Sequence, residues 1–346
     1  MAGKGVTRRQ FVQTSAAAAA GVAAGAVKVG AAGVDTKKIL NYNPDMEYRP
    51  CGKTGLTVSA VALGGHWKRI NVMKQDFDTN RREVVSRCID RGINWIDACT
   101  IEEVRAYTKA LKGRRDKMYL ACSWYQREMR SGKHRTEQAL METLDWGLKD
   151  AGCEYADLWR ITMHEQSIKH TEAEVEQMMK ALEKARKQGK VRFTGFSSHH
   201  RDHIKWMIET YPDVVDAFCT PYTAKTKEMP GDSLFQTVKK HNVGWFGIKP
   251  FASNSVFKGD SSPGSEHAEA DDRVARLAIR YILCNPTITA PIPGLISIQQ
   301  VDNVAKAVAE RRKLDLAEAR ELEQAMDEAW ARLPDDYQWL KDWEYV

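Results

Sequence analysis

The sequence predicts an α/β fold, a (β/α)8 barrel of the TIM type, with a short hairpin before it and a C-terminal helix and tail after it. Three observations carry this reading. Eight short apolar segments alternate with eight segments of helical period. A buried strand can end in small polar residues and histidines, as where 190–196 runs into Ser197-Ser198-His199-His200. No G-x-G-x-x-G follows the first strand, which favours a closed barrel over a doubly wound sheet.

The first 33 residues read as a leader. Thr7-Arg8-Arg9-Gln10-Phe11-Val12 holds a twin-arginine pair, and a weakly apolar Ala/Gly run follows it. This pattern resembles a twin-arginine export signal, so an exported, periplasmic protein and an encounter with the twin-arginine translocation machinery are expected. Residues 34–46 read as a linker and 47–346 as the barrel. Of the formal net charge of +6, four come from Lys4, Arg8, Arg9 and Lys28. The remainder is close to neutral, which argues against a nucleic-acid partner. No later apolar run is long enough for a stable membrane span. None of the seven cysteines forms a C-x-x-C pair, which argues against a zinc ribbon or iron–sulfur cluster. Most read as buried thiols. Cys99 and Cys122, near the ends of neighbouring strands, are the pair placed for a disulfide.

In order, 48–58 reads as a hairpin turning through Gly52-Lys53-Thr54-Gly55, and 58–63 as the first barrel strand. Helices are expected near 79–91, 101–111, 136–149, 171–188, 201–211, 233–241, 271–284, 299–309 and 316–333. Gly92 stops the first and Thr171 caps the fourth. The remaining strands are expected at 93–97, 118–122, 156–162, 190–196, 217–220, 244–248 and 288–292. In such a barrel the chemistry sits at the C-terminal ends of the strands. That rule selects His66, Asp97, Cys122-Ser123, His164-Glu165, Ser197 to His200, Tyr222, Lys249 and Gly294. The imidazoles and carboxylate of His66, His164, Glu165, His199 and His200 also raise a divalent-metal reading, although no H-x-H or H-E-x-x-H spacing supports it and no metal ligand is assigned. The aromatic tail, Tyr337, Trp339, Trp343 and Tyr345, either caps the mouth or, the favoured reading, packs on the barrel wall. Trp67 and Trp124 either line a pocket or pack.

Over residues 47–312 the chain resembles the aldo-keto reductases. The stretches that carry this are Tyr48-Arg49 with Gly52-Lys53-Thr54-Gly55, then Gly92-Ile93-Asn94-Trp95-Ile96-Asp97, then Lys109-Ala110-Leu111-Lys112-Gly113. Gly189-Lys190-Val191-Arg192, Gly195-Phe196-Ser197, Lys249-Pro250-Phe251-Ala252 and Ile292-Pro293-Gly294 with Asn303 continue it. The resemblance implies carbonyl reduction with NADP or NAD, an Asp–Lys pair tuning a Tyr acid, and a His orienting the carbonyl oxygen. Asp97 matches the family Asp. Glu102 stands where the family Tyr should be, Ser123 at the Lys, Thr162 at the His, Ser198 at an Asn and Cys219 at a Gln. His164, two residues past Thr162, is the expected replacement in the mouth.

The sequence therefore leads to an exported oxidoreductase of aldo-keto reductase type acting on a small carbonyl or alcohol. Asp97 and His164 are its candidate catalytic residues, and its proton donor is atypical: His164, Glu102, Tyr107 or Tyr125. Ser197, Ser198, Lys249, Gly294, Ser297 and Asn303 are the candidate cofactor contacts. No Arg between Gly294 and Asn303 is placed to clasp a 2′-phosphate. The alternatives are a metal-assisted lyase, isomerase or hydrolase, and a non-catalytic ligand-binding barrel.

Overall fold

The structure, a computed structural model, describes residues 35–227, 233–310 and 313–342. The expected leader lies outside them, as do Trp343 and Tyr345. A hairpin of β1 (Tyr48–Pro50) and β2 (Thr57–Ser59) comes first. The barrel strands are β3 (Leu63–Gly64), β4 (Trp95–Ala98), β5 (Tyr119–Cys122), β6 (Ala156–Thr162), β7 (Val191–Ser197), β8 (Ala217–Pro221), β9 (Gly244–Ile248) and β10 (Ala290–Pro291). They form one parallel sheet in sequence order. Ala62 N donates to Pro291 O at 3.0 Å and Gly64 N to Pro293 O at 2.8 Å. Together with the parallel bridge between Gly64 and Gly294, these bonds close the ring.

The helices are α1 (Phe77–Asp90), α2 (Ile101–Ala110), α3 (Glu137–Ala151), α4 (Glu172–Lys187), α5 (Arg201–Thr210), α6 (Ser233–His241), α7 (Ala268–Leu283), α8 (Ile298–Ala309) and α9 (Leu316–Ala331). Among the described residues none is long and apolar enough to cross a membrane. Local chemistry sets their ends. Gly92 takes φ 78° after α1. Thr171 and Glu174 form a capping box at α4, as Asp315 and Glu318 do at α9.

Two sequence expectations shift. The expected first strand at 58–63 is divided, because Val58 and Ser59 pair with Arg49 and Tyr48 in the hairpin and only Leu63–Gly64 joins the barrel. The expected Cys99–Cys122 disulfide is not formed; all seven cysteines are free. Cys122 is buried in the core that includes the helix-facing residues, whereas Cys99 lies past the end of β4 on the cavity rim.

Strand alternation sorts the barrel interior into layers. The lower interior is apolar: Trp95 stacks on Phe246 at 4.5 Å, with Leu158, Ala217 and Ala290 in the same cluster. The hairpin plugs this end, since Cys51, Leu56 and Val58 belong to that cluster and Lys53 N donates to Asn242 O at 2.7 Å. Two residues further along their strands, Trp95 and Leu158 give way to Asp97 and Arg160, so charge is confined to the upper layer. Between β7 and β8 the packing is too close for a side chain: a Cβ on Gly195 would lie 2.1 Å from Ala217 O.

Gly195→Ala should therefore destabilise the protein by about 1–3 kcal/mol or more through overpacking. Urea unfolding checks this, and an unchanged midpoint would show that the strands can separate without cost.

Candidate active site

At the C-terminal ends of the strands lies a cavity of about 150 Å3, walled by Asp97, Arg160, Thr162, Ser197, His199, Lys249, Gly294 and their neighbours. Its floor is an ion pair. Arg160 Nε donates to Asp97 Oδ2 at 2.8 Å, and Nη2 donates to Oδ1 in the second arm of a bidentate contact. Both side chains are buried. Arg160 Nη1 also donates to Thr162 Oγ1 at 3.1 Å. Ser123 Oγ donates to Glu128 Oε2 at 2.6 Å, so the 2.7 Å contact between Thr162 and Ser123 has Thr162 as donor. The direction is set: Arg160 to Thr162 to Ser123 to Glu128. The two positions where the family's Lys and His are replaced are thus hydroxyls that wire a buried Arg to a buried carboxylate. Glu128 also accepts from Trp124 N, Trp159 Nε1 and Thr162 N. Burial still pushes its carboxyl above the usual value.

The rim carries a second cluster. Glu103, in the first turn of α2, accepts from His66 N at 2.6 Å and Cys99 N at 2.8 Å and meets His66 Nδ1 at 2.7 Å. Cys99 Sγ is 3.7 Å from each nitrogen of the His66 ring. The Cys99 sulfur first, then hydrogen bonds to Cys99 and Glu103, raise His66 to about 11 against the opposing effect of burial. Burial opposes ionisation of Glu103 as well, but His66 and the two amides keep its carboxyl below the usual value.

The third wall comes from the tail. A 3-10 turn, Asp335–Lys341, lays Tyr337 into the cavity lining and stacks Trp339 on His199 at 4.5 Å. The described part of the tail therefore does both: Tyr337 lines the mouth, and Tyr337 and Leu340 also pack into the core cluster, as the favoured expectation of wall packing has it. Lys68 Nζ lies 4.3 Å and Lys249 Nζ 5.3 Å from the Tyr337 ring centre. Burial would raise the Tyr337 phenol; Lys249, a hydrogen bond with Ser253, Lys68 and His66 outweigh it and hold the pKa below its usual value. Burial, then Lys249, Arg130 and His164, drive His199 well below the usual imidazole value, so its ring is neutral.

The cavity continues outward into a second one of about 270 Å3, sharing His66, Lys68, Phe251, Asn254 and Gly294 with the first. It reaches the N-terminus of α8, where Ser297 caps the helix through Gln300 N, and passes Asn303. Lys68, Arg69, Asp271 and Asp272 also line it. Two adjoining cavities that include a helix N-terminus and cationic side chains suit a dinucleotide. Five of the eight non-glycine residues with positive φ among the described residues, His66, Lys249, Ser253, Asn254 and Ser261, line the two cavities. Such strain persists where surrounding structure enforces it, and it concentrates at functional sites.

Asp97, Ser197, Lys249 and Gly294 thus meet at the inner cavity, and Ser297 and Asn303 at the outer one. Gly294 must also be glycine for the ring closure, since a Cβ there would lie 2.4 Å from Gly65 O. Asn303 Oδ1 accepts from Arg276 Nη1 at 2.6 Å. His164 is not in the lining. The strand ends at Thr162, so alternation no longer sets its direction, and its Nδ1 accepts from Gln166 N within its own loop. Ser198 is likewise turned away, donating to Ser167 Oγ at 2.6 Å. None of the four expected proton donors lines the cavity. Glu102 is exposed on α2, Tyr107 is buried with its hydroxyl on Gly64 O, and Tyr125 lies beside Arg130. Nor do the expected metal-reading residues converge: His200 caps α5 and Glu165 pairs with Arg130. Trp124 packs against Gly147, while Trp67 lines the outer cavity. Sequence reasoning missed Arg160, Cys99 and Glu103. Only Arg160 left a signal, as a charge on the same alternating face as Leu158 in a mostly apolar strand, while the strand's other charge, Asp157, falls on the opposite face; a charge buried there requires a partner.

The comparisons agree with this architecture. The aldo/keto reductase family profile matches residues 60–327. The chain is similar to L-galactose dehydrogenase of Arabidopsis thaliana, 23% identical over 299 residues covering 78% of this chain and 91% of that protein. It is similar to L-glyceraldehyde 3-phosphate reductase of Escherichia coli K12, 23% identical over 60% of this chain and 62% of that one. In structure it resembles an aldo-keto reductase from Bacillus halodurans in its holo form, with a TM-score of 0.60 and 20% identity over 81% of this chain and 96% of that one. With the profile spanning most of the barrel and the tail helix, this chain belongs to the aldo/keto reductase family.

Proposed function

We propose that the protein is an exported oxidoreductase that interconverts a small carbonyl compound and its alcohol with a nicotinamide cofactor. The observation that carries this is the pair of adjoining cavities, one floored by the buried Asp97–Arg160 pair and the other reaching Ser297 at the N-terminus of α8, with Gly294 in the wall of both. The twin-arginine leader supports export, and a route for folded proteins suits a cofactor bound beforehand. Ser197 and Lys249 would hold the cofactor's inner end, and Ser297 and Asn303 its outer end. When bound, the nicotinamide supplies or accepts the hydride. Asp271 and Asp272 suit ribose hydroxyls and repel a 2′-phosphate, which favours NAD over NADP.

The chain's own residues handle the oxygen. The neutral His199 ring lies in the lining, where a ring N–H would donate a hydrogen bond to the carbonyl and polarise it. Tyr337 stands in for the lost family tyrosine: its hydroxyl donates the proton, and Lys249 and Lys68 stabilise the phenolate that remains. Arg160, neutralised by Asp97, keeps the floor polar without itself giving up a proton. A cavity of about 150 Å3 admits a compound of roughly the bulk of benzene. The named relatives act on a sugar and a sugar phosphate, and Lys68, Arg130 and Lys249 around the mouth suit a hydroxylated or anionic aldehyde.

Tyr337→Phe should lower kcat for carbonyl reduction about 10²- to 10⁴-fold while nicotinamide affinity stays unchanged. Reduction by the intact enzyme should fall as pH rises through the depressed Tyr337 pKa, because only the protonated phenol donates. Lys249→Met removes the main charge depressing it and should move that falling limb to higher pH; a profile unmoved by either variant would remove Tyr337 from the mechanism. Asp97→Asn strands a buried guanidinium and should cost about 3–5 kcal/mol in urea unfolding, with Asp97→Asn/Arg160→Met recovering part of the loss. Fluorescence titration should show NADH binding more tightly than NADPH, and binding of neither would defeat the cofactor assignment.

A further inference from the structure

We propose that His66, Cys99 and Glu103 form a divalent-metal site of the zinc class on the rim of the inner cavity. Three separate segments deliver them: the loop after β3, the loop after β4 and the first turn of α2. One nitrogen, one sulfur and one oxygen lie within 4.8 Å of one another. A mixed N, S and O set suits zinc and is foreign to magnesium or calcium, which take oxygen.

The spacing fits. Ligands at ordinary zinc bond lengths stand about 3.3–3.8 Å apart around a tetrahedron, and Cys99 Sγ is 3.7 Å from the His66 ring nitrogens. The His66 Nδ1 to Glu103 Oε1 separation of 2.7 Å is that of a shared proton. It would widen by about half an ångström as the ion replaces that proton. Binding releases the imidazolium and thiol protons to solvent and changes no oxidation state.

The surroundings also look built for this. The Glu103 side chain is only 5% exposed. The backbone amides of His66 and Cys99 already orient its carboxylate, as outer-shell groups orient metal ligands. A Cβ on Gly65 would lie 2.1 Å from Glu103 Cδ, so a larger residue there would displace the carboxylate from its two amides, and His66 follows at φ 55°. Three protein ligands leave a coordination position for water or an oxygen of a small molecule, as in catalytic rather than structural zinc sites. The inference goes beyond the carbonyl reaction and does not need it.

The test is metal binding by the full chain after chelator treatment, read apart from turnover. Zinc should bind at one ion per chain by calorimetry, and cobalt(II) should show a thiolate-to-metal charge-transfer band. Cys99→Ser should abolish that band. Cys99→Ser and His66→Gln should each weaken binding at least roughly tenfold to a hundredfold, with far-ultraviolet circular dichroism confirming that each variant is folded. Zinc should also slow alkylation of Cys99 while leaving exposed Cys284 unaffected. Absence of stoichiometric uptake, or uptake that survives both substitutions, overturns the site. A Cys99 that alkylates at the same rate with and without zinc would likewise overturn it. Because these readouts involve neither nicotinamide nor substrate, the metal site and the carbonyl reaction can fail separately.

Discussion

The Asp97–Arg160 ion pair is the constraint around which the upper barrel is arranged. Two charges facing each other across a closed ring of strands have lost most of their hydration. Either one alone would be intolerable there, so the pair acts as a unit. Its bidentate geometry fixes the guanidinium plane, and that plane leaves Nη1 to meet Thr162. From there the hydroxyls of Thr162 and Ser123 continue to Glu128, which is satisfied by four hydrogen bonds and no cation. The family's Asp–Lys arrangement is thus rebuilt with a permanently charged partner from a different strand, and an Arg cannot pass a proton as a Lys can.

Above this pair lies the rim, where most of the positive-φ non-glycine residues among the described residues gather. The turn at Lys249 to Asn254 and the His66 backbone hold left-handed conformations that non-glycine residues adopt only under constraint. That constraint comes partly from the tail. Trp339 on His199 and Tyr337 between Lys68 and Lys249 pack the turn Asp335–Lys341 over the mouth. A neutral imidazole, a phenol of lowered pKa and two ammonium groups consequently share one small volume that the sequence spreads over nearly the whole chain.

The course of the chain was legible from local pattern. Strands β6 and β9 and helix α6 fall where alternation and apolar runs place them, and Gly92 and Thr171 bound their helices for the expected backbone reasons. The first barrel strand was less legible, because an apolar run from Val58 to Leu63 does not say where a hairpin ends and a barrel begins. The site was legible at Asp97, Ser197, Lys249 and Gly294, which sit on strand ends or just past them. It was illegible at His164, where the strand had already ended, and at Cys99 and Glu103, which a loop and a helix turn bring to the rim.

The amino-acid sequence by itself determined an eight-fold α/β barrel, because periodicity and turn chemistry act between near neighbours and repeat around the ring; the likeness to the aldo/keto reductases came from its motifs. The tertiary structure alone decided which charged and aromatic groups share the cavity. Arg160 reaches Asp97, Glu103 reaches His66 and Tyr337 reaches Lys249 only once the ring has closed, since contacts between residues 37 to 88 positions apart depend on how strands face one another and not on any local preference.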